Sequence, residues 1–133
     1  MPNTTGQLAI HHVSLMVQDL DEALDFYTAV LGMQPRTDRP DSPVRGAWLD
    51  VGDHQLHLIE GTPPPAFGQH FALRIADLDA TRERLRHRAV DVSEPVTIGN
   101  ARQAFLQDPS GNQIELHEPA LPPAEVVGSP SKH

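Results

Sequence analysis

The chain has 133 residues, 38% of them hydrophobic and 21% charged, which suits one compact domain able to bury its own core. A formal charge of −8 gives no basic face for phosphate, so a nucleic-acid partner is excluded, and the absence of cysteine excludes disulfides, thiolate metal sites and cysteine nucleophiles. No apolar run approaches the roughly 20 residues of a membrane span, and Met1-Pro-Asn-Thr-Thr is unlike a secretory signal, so a soluble cytoplasmic protein without membrane partners is expected.

In chain order, Ile10 to Val17 alternates as a strand, with Val13, Leu15 and Val17 on one face and His12, Ser14 and Met16 on the other. A helix follows, capped by Asp19 or Asp21. Its apolar stripe is Leu20, Ala23, Leu24, Tyr27 and Leu31, and Gly32 ends it. Residues 34–45 are polar and proline-broken and supply one further strand. Gly46 to Val51, a turn at Gly52-Asp53 and His54 to Glu60 form a hairpin. The connector 61–68 contains three consecutive prolines and is stiff.

The pattern then starts again. His70 to Ile75 alternates, and a weakly amphipathic helix over Leu78 to Arg88 is capped by Asp77 or Asp79. Residues 90–100 supply a strand. Gln103–Gln107, the turn Asp108-Pro-Ser-Gly-Asn112 and Gln113–Glu118 make a second hairpin. Residues 1–118 are thus expected to be one domain, with modules over about 8–60 and 69–118. Residues 119–133, rich in Pro and Ser, read as a mobile tail.

The two modules are a repeat. At an offset of 58 positions, His12/His70, Leu15/Leu73, Asp19/Asp77, Leu20/Leu78 and Asp21/Asp79 are identical, and Gln55–Glu60 falls on Gln113–Glu118 without a gap. His12 is placed over His70 and His57 over Glu115. Three imidazoles and one carboxylate are a donor set for a divalent transition metal, with Zn, Ni, Co, Mn and Fe all admissible. Repeated packing explains a conserved residue type, but not a histidine replaced by a glutamate that shares its affinity for metal.

Strand parity agrees. With Val13/Leu15/Val17, Leu56/Leu58, Phe71/Leu73/Ile75 and Ile114/Leu116 against the helices, all four candidates fall on the opposite faces. There they share a mixed polar cleft with Ser14, Met16, Gln55, Ile59, Ala72, Arg74, Gln113 and His117. His117 lies about 6.6–6.8 Å along the strand from Glu115, so a place behind the ligands or at the pocket mouth suits it better than ligation. Arg74 is placed to meet an anionic substrate group. His11 points with the helix-facing residues and reads as rim or core, while His54 and His87 are peripheral.

Four motifs carry a family resemblance: Ile10-His-His-Val-Ser-Leu-Met-Val17, Asp19-Leu-Asp-Glu-Ala-Leu-Asp-Phe-Tyr27 running to Leu31-Gly32, His70-Phe-Ala-Leu73, and Asp108-Pro-Ser-Gly-Asn-Gln-Ile-Glu-Leu116. The chain resembles the vicinal-oxygen-chelate superfamily of glyoxalase I, methylmalonyl-CoA epimerase, fosfomycin-resistance thiol transferases, extradiol dioxygenases and bleomycin-resistance proteins. The resemblance implies an α+β fold of two tandem βαβββ modules forming a curled mixed-sheet cup with helices outside. It also implies one divalent metal ion per site, held by His12, His57, His70 and Glu115, with Gln103 and Phe105 lining the pocket. The implied chemistry is a lactoylglutathione-lyase-like lyase or isomerase reaction on a small oxygenated metabolite or thiol adduct, through an enolate or oxyanion, with Glu115 and His57 as catalytic residues.

Typical glyoxalase I enzymes carry a carboxylate where this chain has His57, so a two-base proton shuttle loses one member here. His12, His70 and Glu115 alone would make the facial triad of an iron dioxygenase. The resemblance also admits a fosfomycin-type thiol transferase and a metal-free bleomycin-resistance-like binding protein. Open edges of each module predict a homodimer. The connector reaches about 26–29 Å when extended, which allows the modules to pair within a chain or between chains.

Overall fold

The structure, a computed structural model, describes residues 8–120. The tail expected over 119–133 therefore lies, from residue 121 onward, outside the described residues. The element order is β1 (His12–Val17), α1 (Leu20–Asp25), a π turn (Phe26–Val30), β2 (Gln34–Pro35), β3 (Gly46–Val51) and β4 (His54–Glu60), followed by β5 (His70–Arg74), α2 (Leu78–His87), β6 (Val96–Ile98), β7 (Ala101–Gln107) and β8 (Gln113–Glu118). The fold is α+β with two four-stranded sheets, ordered β1-β4-β3-β2 and β5-β8-β7-β6. In the first sheet β1 runs parallel to β4, and β4 is antiparallel to β3. No helix among the described residues is long and apolar enough to cross a membrane.

By compactness the described residues divide into one unit of 8–71 together with 107–114, and another of 72–106 together with 115–120. The first unit packs Val17, Leu20, Ala23, Tyr27, Leu49, Leu56, Leu58 and Ile114 as its core. The second packs Leu78, Leu85, Ala104, Leu106 and Leu116.

Capping resolves in favour of the first aspartate in each module. Asp19 Oδ1 accepts from Glu22 N–H at 3.1 Å, and Asp77 Oδ1 accepts from Ala80 N–H at 2.9 Å. Each helix has a second anionic partner, from the last residue of its module's final strand. Glu60 Oε2 accepts from Leu20 N–H at 2.9 Å, and Glu118 Oε2 accepts from Leu78 N–H at 2.8 Å. An arginine ties each carboxylate to the first helical turn, Arg45 between Glu60 and Asp21, and Arg102 between Glu118 and Asp79. The duplication has copied a helix-anchoring network as well as the candidate ligands.

One expectation is corrected and another is narrowed. The first helix does not run with one stripe to Leu31. After Asp25 it widens to a π turn, in which Leu31 N–H bonds to the carbonyl of Phe26, five residues back, at 3.0 Å. This turn buries Phe26 beside Tyr27, edge to face at 5.3 Å, whereas Leu24 and Leu31 are only half-buried. Gly32, at φ +87°, ends the segment as expected. Of the two places open to His11, rim and core, it takes the rim. It is exposed, because β1 begins one residue later and leaves it at the sheet end.

Candidate metal centre

β1, β4 and β3 form one wall. Ser14 lies opposite His57 on one side and Trp48 lies opposite it on the other. His12, two residues before Ser14, is the diagonal neighbour of His57 on the same face. The outcome is a three-ring stack. His57 lies between His12, with centroids 4.0 Å apart and planes at 13°, and Trp48, with centroids 4.4 Å apart and planes at 9°. These rings, rather than aliphatic core, leave His57 only 8% exposed. Burial first, then the nearby His12, His11, Arg36 and Arg39, hold its pKa below the ordinary histidine value. A neutral imidazole is the form that binds metal.

Hydrogen bonds assign the ring nitrogens. His57 Nε2–H donates to Gln55 Oε1 at 2.8 Å, which leaves the lone pair on Nδ1. His70 Nδ1–H donates to the Gly68 carbonyl at 2.9 Å, which puts its lone pair on Nε2. His12 Nδ1 shares a hydrogen bond with His11 Nδ1 at 2.9 Å. In the second unit Glu115 is 9% exposed, and its Oε2 accepts from His117 Nδ1–H at 2.9 Å. A ligand held through its other polar atom is the usual support for a metal site. His117 thus sits beside the carboxylate.

The donor types fit a divalent ion, but the stacked pose does not chelate one. A metal lies in the plane of the imidazole that binds it, and nearly parallel rings 4.0 Å apart have no shared in-plane position. His12 is exposed, and it is the ring that would have to turn for the pair to share an ion. Among the described residues, no three His, Asp or Glu side chains gather as a metal site within one chain. His70, although in the same compact unit as His12 and His57, does not join them.

The other predicted residues are distributed as follows. Ser14, Met16, His70 and Gln113 line a cavity of about 290 Å³ together with Phe71 and Asn112. Ser14 also lines a second cavity, of about 250 Å³, with Arg39, Trp48, His57 and Ile59. Gln55 orients His57 as described. Arg74 is exposed on β5, and Gln103 and Phe105 lie on the face of β7 opposite the buried Ala104 and Leu106. Trp48 and Arg39 were missed. Trp48 could have been found, because the two-residue turn at Gly52-Asp53 pairs Val51 with His54 and therefore Trp48 with His57. Arg39 sits in an aperiodic polar stretch that carries no signal.

With this geometry in hand, known proteins place the chain. The sequence profile of the Glyoxalase/Bleomycin resistance protein/Dioxygenase superfamily matches residues 9–116, and the chain belongs to that superfamily. It is 32% identical over 122 residues to lactoylglutathione lyase from Escherichia coli O157:H7, covering 80% of this chain and 90% of that one. It is 31% identical over 145 residues to 2-epi-5-epi-valiolone epimerase from Actinomyces sp, covering 84% and 79%. Among solved structures it is similar to TnmS3, an antibiotic binding protein from Streptomyces sp. CB03234, with a TM-score of 0.73 and 30% identity over 88% of this chain and 100% of that one. Some relatives are much longer. The chain spans 42% of lactoylglutathione lyase GLX1 and 35% of a chloroplastic relative, both from Arabidopsis thaliana.

Proposed function

We propose that residues 8–118 act as one glyoxalase-like domain and that the protein is a cytoplasmic, divalent-metal-dependent lyase or isomerase of a small oxygenated metabolite or thiol adduct. The observation that carries this reading is the pairing of His12 with His57 on one wall, each with a ring nitrogen already engaged by a neighbouring side chain. The relatives named as a lyase and an epimerase support it. His12, His57, His70 and Glu115 would hold the ion, which supplies Lewis acidity towards adjacent substrate oxygens. Glu115 is the only carboxylate of the set and the group to take and return a substrate proton. His117 fixes the carboxylate through Oε2, and burial keeps competing water away from it.

We further infer a homodimer in which modules pair between chains, because each module leaves open sheet edges and the three consecutive prolines of the connector favour an extended path. His12 and His57 of one protomer then share a site with the second-module ligands of its partner. Protein purified without a histidine tag is expected to hold close to one divalent ion per chain. Protein that stays empty after incubation with Zn, Ni, Co, Mn and Fe in turn overturns the metal reading. Mixing His12→Ala with Glu115→Ala protein is expected to restore one ion per heterodimer, since both lesions fall in one cup and leave the other intact. A strictly monomeric species at micromolar concentration, or no recovery in a dimer shown to exchange subunits, overturns the swap.

A second reading is favoured by the ring stack itself. Trp48, His57 and His12 form an aromatic surface of the kind that holds a flat ligand, and TnmS3 is an antibiotic binding protein. Retention of a flat organic ligand by protein that takes up no metal would select this reading over the enzymatic one.

A further inference from the structure

The cavity of about 250 Å³ beside His57 is lined by Ser14, Arg39, Pro40, Asp41, Ser42, Trp48, His57, Leu58 and Ile59, all within the first compact unit. We propose that this cavity binds the carboxylate of the substrate, with Arg39 as the anchoring cation, and that the site therefore selects small monoanionic acids with a flat apolar body. The inference deepens the reading of a small oxygenated substrate and depends on it only for the word substrate.

Arg39 is placed like a binding group rather than a structural one. Arg36, Arg45, Arg82, Arg86 and Arg102 each pair with a carboxylate, but Arg39 makes one hydrogen bond, from Nη2 to the Val44 carbonyl at 3.0 Å, and meets no acid among the described residues. The side chain is half-buried and held. Its guanidinium lies over Gly46, where an added Cβ would approach Nη2 to 2.7 Å and Cζ to 3.0 Å, and would also collide with the Leu58 carbonyl. Gly46, the first residue of β3, thus opens the space that the guanidinium occupies. A guanidinium at a cavity wall that forms no ion pair of its own among the described residues is free to meet an anion, and an arginine offers a carboxylate two parallel N–H donors.

The rest of the lining narrows the ligand. Trp48, with one indole face against His57, and the aliphatic Ile59 supply an apolar wall. Asp41 lies in the same lining, unpaired with Arg39, and its charge repels a dianion such as phosphate more than a monoanionic carboxylate. Ser14 offers a hydroxyl towards a neighbouring oxygen. Bound in this way, a substrate's acid end would rest beside His57, one of the proposed ligands.

Trp48 is the only tryptophan, so its fluorescence reports this cavity alone. The test uses protein treated with a chelator, so that a negative result bears on Arg39 and not on the metal. Benzoate is expected to change the emission saturably, and benzamide, with the same shape and no charge, to bind at least about tenfold more weakly. Arg39→Gln should abolish that difference, and Asp41→Asn should tighten benzoate binding. Arg39 is in a loop, so circular dichroism should match the parent, and the Asp41 variant keeps the test open if it does not. Equal affinity for benzoate and benzamide, retained preference in Arg39→Gln, or no saturable benzoate response overturns the site. Inorganic phosphate displacing benzoate at equal concentration overturns the choice of a carboxylate.

Discussion

Glu115→Gln is expected to lower the affinity for a divalent ion by more than about a hundredfold, and His57→Ala by less. Losing a hydrogen-bonded neighbour of a ligand already costs about 10–100-fold, and losing the ligand itself costs more. Glu115 supplies the only negative charge of the proposed set. It is buried, so its attraction for a dication is poorly screened, and His117 holds its orientation. An amide of the same shape keeps one neutral acceptor and forfeits the charge. His57→Ala leaves three donors, including the carboxylate, although it also removes the middle ring of the stack. Calorimetric titration of chelator-treated protein with Zn or Co checks the order. A Glu115→Gln protein that binds as tightly as the parent, while His57→Ala does not bind, would reverse the assigned roles.

The ease with which β strands were read from the sequence has a simple cause. Their side chains alternate, and burial follows the alternation. Phe71, Leu73 and Ile75 are half-buried where His70, Ala72 and Arg74 are exposed. Both hairpin turns sit on glycines with positive φ, Gly52 and Gly111. The repeat pointed at His12 and His57, and the structure puts their rings in contact. Features that depend on residues far apart in sequence were not legible. The π turn carries Tyr27, whose hydroxyl bonds to Asp108, 81 residues on, a partner that a 3.6-residue stripe does not encode. The Arg45–Glu60 and Arg102–Glu118 networks were hidden because the two arginines fall one position out of the repeat's gapless offset. Arg39 had neither periodicity nor a repeat partner to mark it.

The same non-local logic gives the largest expected loss of stability, at Asp108. This carboxylate is 4% exposed and accepts from Tyr27 O–H at 2.7 Å, Ser110 N–H and Asn112 N–H at 2.9 Å each, and Asn112 Nδ2 at 3.0 Å. Asn112 Nδ2 also donates to the Met16 carbonyl at 2.8 Å, so the turn is fastened to β1 as well as to the first helical segment. Asp108→Ala removes the acceptor for four donors and leaves the buried phenol unpaired, an expected cost of about 3–5 kcal/mol. Tyr27→Phe removes one bond and should cost about 1–2 kcal/mol. The double variant should cost less than the sum, because the two share that bond. Urea unfolding checks all three, and a loss of under about 1 kcal/mol for Asp108→Ala would mean that the turn is not held in this way. The pair also has a signature in alkali. Burial first, then the charge of Asp108 and the hydrogen bond to it, hold the Tyr27 phenol above its ordinary value. A raised folded-state value means that this contribution is complete below about pH 10, the unfolded tyrosine's pKa, and drains away as the pH rises past it. Tyr27 is the only tyrosine, so tyrosinate absorbance should appear together with loss of structure, and Tyr27→Phe should weaken the alkaline loss of stability. Ionisation near pH 10 in a protein that stays folded would overturn the buried pair.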